Sequence, residues 1–260
     1  GVHMCLMAVL TTPIAREFGL TSTQQGLLSS GVFAGMFVGT FASGLVGDRV
    51  GRRFPVCTSS IMVVAIGCLS TLSVSFEMLL AMRILLGAAM ALGDVPATVL
   101  FSEVSPQRWR IPIRAASEGT FDVGYTYVAF LASFADPYLR ALRWRRLLLL
   151  ASIPPGVMGA LSALVLPESP VYLASCGRRE EAMRVFRMFR RLNNVPHVSV
   201  DYAPDTQEQR SSGQRGGLSP MEQLGLVFGR RFFRISAILV YIAFAVNMFY
   251  YGGMYLQPQV

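Results

Sequence analysis

The sequence has no lysine, only two histidines (His3 and His197) and only four cysteines in 260 residues. All 23 basic residues are arginines, and against 15 acidic residues they leave a net charge of +8. Charged residues make up 15% of the chain, where an average soluble domain carries about 25%. That shortage excludes a nucleic-acid-binding module, a disordered chain and most soluble enzymes. Cys5, Cys57, Cys68 and Cys176 are too few and too scattered for a disulfide framework. No H-E-x-x-H and no G-x-S-x-G occurs, so the usual chemistry of a membrane-embedded enzyme is missing. Asp201 and Asp205 are spaced like a metal-binding pair but stand in a polar loop without further ligands. No enzyme activity, cofactor or metal is therefore expected.

What the chain has is apolar length: 53% of it is hydrophobic and the mean hydropathy is +0.48. A membrane-spanning helix needs about 20 apolar residues. Uncharged runs of that size lie at 18–47, 54–76, 147–167 and 235–260. Two further runs carry internal charge: 78–102 with Arg83 and Asp94, and 115–135 with Glu118 and Asp122. Residues 2–14 are apolar but short, and read as a truncated first span; no basic segment precedes them, so they do not read as a signal peptide. The count is about seven spans. With the N-terminus inside, the loops after spans two, four and six hold seventeen arginines and the outer loops five, a bias that marks the former as cytoplasmic. The outer cluster at 140–146 runs against that bias. The expected fold is an all-α, multi-pass integral membrane protein. Its six-span N-terminal bundle covers 1–175, a cytoplasmic linker covers 176–231, and the start of a second bundle with an incomplete seventh span covers 232–260. Within the linker, 178–192 places Ala182, Val185, Phe186, Phe189 and Leu192 on one helical face and Arg184, Arg187, Arg190 and Arg191 elsewhere. This is a basic amphipathic helix suited to the inner membrane surface. Residues 199–219 read as a flexible linker.

The segment GLVGDRVGRR at 44–53 joins spans two and three. A tight turn between helices calls for glycine, here Gly47 and Gly51. Asp48 can accept backbone N–H groups at a helix start, while Arg49, Arg52 and Arg53 can pair with carboxylates or lipid phosphates. Starting at Gly44, the pattern G-x-x-x-D-R-x-G-R-R resembles the signature of the major facilitator superfamily. Arg83 and Gly87 (R-x-x-x-G), SEVSPQRWR at 102–110 with Glu103, Pro106 and Arg110, PESPVYL at 167–173 and CGRREEAMRVF at 176–186 are similar to sugar-porter-like members. Val171 replaces the usual Arg of the P-E-S-P-R motif. The opening 7–39, GDVP at 93–96 and NMFYYGG at 247–253 look like the synaptic-vesicle-type and organic-ion transporters. The Q-Q-x-x-G-x-N pattern of true sugar porters is absent, and His3 stands where this branch often has Glu.

The resemblance implies alternating access between two bundles, of which this chain holds the first. It also implies a cytoplasmic gate. Asp48, Arg52, Arg53, Glu103, Arg110 and Glu168 would form ion pairs at the inner ends of spans, on the turn that carries Gly44, Arg49 and Gly51. At 1.5 Å rise per residue, Asp94 lies about 14 Å from the inner face, Glu118 about 12 Å and Asp122 about 18 Å, while His3 lies about 15 Å below the outer end of span one. A charge at mid-membrane persists only if paired, neutralised or facing water. Glu118, Asp122, Asp94, His3 and Arg83 are thus the candidate substrate and proton-coupling residues. Glu118 and Asp122, at i and i+4, share a helical face where one carboxyl can hold a proton; Arg114, also i, i+4 from Glu118, is the competing ionic partner. Phe121, Tyr125, Tyr127, Tyr250 and Tyr251 are candidates for cation–π contacts in the pocket. Gly31, Gly35, Gly39, Ser43 and Gly47 make a small-residue stripe for close helix packing, with a sliding helix expected across it. The expected function is transport of a small organic solute, an organic cation or zwitterion, coupled to protons. A sugar or polyol porter is the alternative, and a non-transporting sensor or adaptor on the same scaffold the alternative of another class. The expected partners are the solute, protons, the lipid bilayer and the C-terminal bundle of the full-length protein, and no nucleic acid.

Overall fold

The computed structural model describes residues 1–135, 143–194, 225, 229 and 232–256, with side chains as far as residue 249. Arg140, His197, Asp201, Asp205, the expected linker at 199–219 and the side chains of Tyr250 and Tyr251 lie outside the described residues. Two compact units are present, Gly1–Asp201 and Tyr202–Val260. The described residues are helical and contain no strand. The first unit holds α1 (Val2–Phe18), α2 (Ser22–Val50), α3 (Arg53–Leu69), α4 (Phe76–Val104), α5 (Arg110–Ala135), α6 (Trp144–Ala151), α7 (Ile153–Val165), α8 (Pro170–Ser175) and α9 (Arg179–Leu192); the second holds α10 (Phe233–Leu256). Among the described residues, four helical stretches are long and apolar enough to cross a membrane: Ser22–Val50, Arg53–Leu72, Phe76–Val104 and Trp144–Val165. α5 is long enough at 26 residues, but Arg110, Arg114, Glu118 and Asp122 lower its mean hydropathy.

Local chemistry sets the helix limits. α1 stops at Gly19, whose φ of 64° is the left-handed conformation that glycine adopts freely. Two residues later Thr21 opens α2 with a capping box: its hydroxyl accepts from Gln24 N–H, and the Gln24 side chain accepts from Thr21 N–H. Ser75 caps α4 and Ser169 caps α8 more simply, each hydroxyl accepting one backbone N–H, from Met78 and from Tyr172. The uncharged run at 18–47 therefore straddles a turn, and the helix within it begins at Ser22 and runs on to Val50. The run at 147–167 is not one helix but α6 and α7, broken at Ser152. The cause is Pro154–Pro155: Pro154 has no N–H to offer the Leu150 carbonyl four residues back. The Tyr127 hydroxyl of α5 donates to that carbonyl instead, at 3.0 Å.

Packing in the first unit is dominated by α2 against α4, with α3 also on α4, α7 on α3, and α1 against α5, α2 and α6. The buried side of α2 is Leu28, Gly31, Val32, Gly35, Gly39, Ser43 and Gly47, which includes the whole small-residue stripe. A Cβ on Gly35 would fall on the Ile84 carbonyl, one on Gly39 on the Ala88 carbonyl, and one on Gly87 of α4 on the Val32 carbonyl. The helix across the stripe is thus α4 of the same unit. Its own Gly87 interlocks with α2, so the partner across the stripe lies within the first unit. Phe37, Val38, Phe41, Ile61 and Leu164 lie on outward faces, exposed, as a lipid-solvated surface requires.

One member of the arginine cluster that runs against the charge bias, Arg145, finds its partners at the end of the unit where α1, α3 and α6 meet. Arg145 Nη1 donates to Glu17 Oε1 at 2.6 Å, its Nε to Thr71 O at 3.1 Å and its Nη2 to Ser73 O at 3.2 Å. Trp144 Nε1 donates to the other Glu17 oxygen, and the Arg145 guanidinium lies 4.2 Å over the Trp144 ring. This arginine satisfies orphan carbonyls beyond α3 and ties three chain segments together.

The α2–α4 interlock predicts that Gly35→Ala lowers stability by about 1–3 kcal/mol, the usual cost of overpacking a tight contact. Gly44→Ala, where nothing lies within 4 Å of the added methyl, should leave it undiminished and gain up to about 1 kcal/mol from the better helix former. Thermal unfolding in detergent measures both.

Candidate functional site

At one end of the first unit the α2–α3 turn, the C-terminal end of α4 and the chain leaving α7 converge. The first turn of α3 has no side-chain cap of its own, because Arg52 stands at the N-cap position. Glu168 fills that role from 115 residues away. Its Oε1 accepts from Arg52 N–H at 2.8 Å, from Arg53 N–H at 3.2 Å and from Ser169 N–H at 2.9 Å, and its Oε2 accepts from Arg53 N–H at 3.3 Å. A carboxylate at a helix N-terminus also faces the positive end of the helix dipole. Gly51 is required twice: its φ is 102°, and a Cβ there would fall on the Glu168 carboxylate.

Arg52 is the hub of the side chains. Its Nη1 donates to Gly47 O at 2.7 Å, its Nη2 lies 3.5 Å from Asp48 Oδ1 and 3.6 Å from Glu103 Oε1, and its guanidinium lies 5.1 Å from the Tyr172 ring centroid. The two carboxylates differ in weight. The Glu103 side chain is 17% exposed and its Oε2 is buried without a hydrogen bond, whereas Asp48 is 76% exposed. Solvent screens the Asp48 pair, so Glu103 is the stronger partner. Arg53 Nη2 donates to Ala163 O at 2.7 Å near the end of α7, and Tyr172 OH donates to Arg49 O at 2.9 Å at the end of α2. Burial pushes the Tyr172 phenol up, with Cys176 and Glu168 adding to it, which keeps that hydroxyl a donor. Six expected residues therefore meet here: Asp48, Gly51, Arg52, Arg53, Glu103 and Glu168. Arg49 joins only through its carbonyl. Arg110 stands apart, exposed, with its Nε 3.4 Å from Ser105 O. Gly44 is exposed and touches nothing across the turn. Tyr172 is the member that residue-type reasoning passes over; its place inside PESPVYL is the signal that points to it.

Deeper in the unit a cavity of about 700 Å³ is lined by His3, Ser59, Met90, Asp94, Tyr127 and Pro154 among others. Asp94 is exposed into it, on a wall that is otherwise mostly apolar. A smaller space of about 280 Å³ shares Asp94 and adds Thr98, Arg114, Glu118 and Phe121. Arg114 bridges α4 and α5 there: its Nη2 pairs with Glu118 Oε1 at 2.8 Å and its Nη1 donates to Thr98 Oγ1 at 2.7 Å. Of the two rival partners for Glu118, the ionic one is engaged. Asp122 is exposed and lines neither space, and its carbonyl accepts from Thr126. His3 is 2% exposed, with both ring nitrogens lacking a hydrogen bond, and it faces α3 where Gly67 leaves room for it and for Ser152. Arg83 is fully buried within α4, beside Gly31 of α2. Phe121 and Tyr125 pack on each other at 5.2 Å between ring centroids. The structure thus brings together Asp94, Glu118 and Arg114 on one side and His3 on another. No group of three or more His, Cys, Asp or Glu able to hold a metal exists among the described residues.

Comparison with known proteins places this arrangement. The chain is 29% identical over 257 residues to the synaptic vesicle 2-related protein of Xenopus laevis, covering 98% of this chain and 44% of that protein. It is 30% identical over 201 residues to organic cation/carnitine transporter 7 of Arabidopsis thaliana, covering 75% of this chain and 38% of that protein. The fold is similar to the xylose transporter XylE from E. coli in a partially occluded inward-open conformation, with a TM-score of 0.66, 18% identity, and coverage of 72% of this chain and 50% of that one. The chain therefore spans about half the length, or less, of the relatives it matches. Residues 6–258 match the family described as sugar (and other) transporter. With that match over nearly its whole length, the chain belongs to the sugar (and other) transporter family of the major facilitator superfamily, whose members are multi-pass membrane transporters and not enzymes.

Proposed function

We propose that the full-length protein carries a small organic cation or zwitterion across a membrane by alternating access, and that this chain supplies the N-terminal bundle and the start of its partner bundle. The observation that carries the substrate class is Asp94, a carboxylate opening into a mostly apolar cavity of about 700 Å³ with the Tyr127 ring on its wall. A carboxylate and an aromatic face suit a cation with an apolar body. A sugar or polyol would instead need many convergent hydrogen-bonding groups, and besides Asp94 the wall offers His3, Ser59, Ser60 and Thr120, the three hydroxyls already donating to backbone carbonyls. In proteoliposomes of the full-length protein, tetraethylammonium or a betaine should show saturable counterflow and xylose should not. Asp94→Asn should raise the KM for the cation about tenfold, the loss of one charge-assisted contact. Counterflow of xylose alone would establish the sugar reading, and no counterflow of any solute the sensor or adaptor reading.

The charge cluster around Arg52 is the proposed cytoplasmic gate. Each pair is weak in isolation, but pairs made in only one conformation bias a two-state equilibrium by their whole difference. In the full-length protein Glu103→Gln should lower uptake about fivefold at unchanged surface level, with a smaller loss for the more exposed Asp48→Asn. Unchanged uptake in both variants removes the gate assignment.

Proton coupling is assigned to Glu118. In the arrangement seen here it is ion-paired with Arg114 at 2.8 Å. Loading a proton frees Arg114, so the pair couples protonation to the contact between α4 and α5. An inward proton gradient should then accelerate uptake. Glu118→Gln should abolish accumulation yet preserve exchange, which needs no net proton release. Accumulation that survives in Glu118→Gln, or uptake indifferent to a proton ionophore, would return Glu118 to a packing role.

A further inference from the structure

α9 contributes no residue to the cavities or to the Arg52 cluster. Its arginines divide into two sets. Arg184, Arg187 and Arg191, at i, i+3 and i+7, make one exposed stripe about 10 Å long. None of the three has a carboxylate partner among the described residues, whereas Arg178 is neutralised by Glu181 through two hydrogen bonds at 2.8 and 2.7 Å. The opposite side of α9 is docked: Ala182 is fully buried, Val185, Phe186 and Phe189 are half-buried, and the helix packs against α8. The helix cannot roll its apolar face into a bilayer without leaving that contact. What it presents outward is charge held in place.

The height of the stripe is fixed as well. The chain leaves α7 at Val165, and Glu168 ties it to the first turn of α3. The Tyr172 hydroxyl ties α8 to the last turn of α2. Gly177, at φ 75°, turns the chain directly into α9. The stripe therefore stands where the membrane-crossing helices α2, α3 and α7 end, which is the depth of the lipid headgroups.

We infer that Arg184, Arg187 and Arg191 bind the phosphates of anionic lipids in the leaflet next to the Glu168 end of the bundle. Guanidinium groups pair with phosphate oxygens two at a time, and a row of three on a convex helix matches a sheet of phosphates. A convex row has no walls to enclose a single free phosphate. Because α8 carries Tyr172 under the Arg52 guanidinium, the lipid contact lies one helix away from the charge cluster.

The test uses the purified full-length protein and reads bound lipid by native mass spectrometry while phosphatidylglycerol or phosphatidylcholine is titrated in. An arginine near an anionic surface contributes about fivefold in affinity, so the wild type should prefer phosphatidylglycerol by about tenfold or more at low salt, and less as salt rises. The triple variant Arg184→Gln, Arg187→Gln, Arg191→Gln should bring the two lipids within about twofold of each other. The triple Arg→Lys variant keeps the charge and the fold of the helix and should retain the preference. Millimolar inorganic phosphate should not displace the lipid. A preference that persists in the Gln triple overturns the inference, as does displacement by free phosphate. A wild type with no preference overturns it too, and leaves the stripe to an acidic segment of protein.

Discussion

The first turn of α3 offers N–H groups that no local side chain accepts, and the carboxylate of Glu168 accepts them. In hydrocarbon or at its edge, unmet N–H groups cost far more than in water, so this one contact constrains everything near it. It brings the end of α7 to the α2–α3 turn across more than a hundred residues of sequence. It demands a glycine at position 51, because any side chain would displace the carboxylate. It seats Tyr172 beneath Arg52 and so directs where α8 and α9 leave the bundle. The ion pairs of Arg52 with Glu103 and Asp48 are built on that frame and do not create it.

A second constraint acts in the interior. Ionisable groups placed among apolar helices must meet counter-charges or an opening. Glu118 meets Arg114, and Asp94 faces a cavity. His3 is enclosed and meets neither a donor nor an acceptor. These three solutions lie on different helices: Asp94 and His3 line the larger cavity, and Glu118 lines the smaller space that shares Asp94 with it.

Much of this was legible in the sequence. Apolar runs located the long helices, and four-residue spacing of small side chains identified the buried side of α2. The segment 44–53 together with Glu103 and Glu168 located the charge cluster. The misses have physical causes. Periodicity reports which side of a helix is small but not which helix fills it, so α4 as the partner was invisible. Pro154–Pro155 was in plain view inside an apolar run, but hydropathy is blind to a missing N–H, so the single span was located while its break into α6 and α7 was not. Glu118 has charged neighbours both four residues before and four after. Spacing alone does not choose between them, whereas Thr98 on α4, by holding Arg114, does. Arg145 looked like stray outer charge because its partners, Glu17 and two carbonyls, are remote in sequence.

The bond from Tyr127 to the Leu150 carbonyl sets terms for whatever occupies the hollow. That hydroxyl stands in for a backbone donor that proline removed. Turning it toward a ligand would give up that bond and leave the Leu150 carbonyl to the Ser152 N–H alone. Tyr127 is therefore spoken for at its oxygen and open only at its ring. With the oxygen engaged by the Leu150 carbonyl, what Tyr127 presents to the cavity in this arrangement is the face of its ring, a quadrupole and not a hydrogen-bond donor.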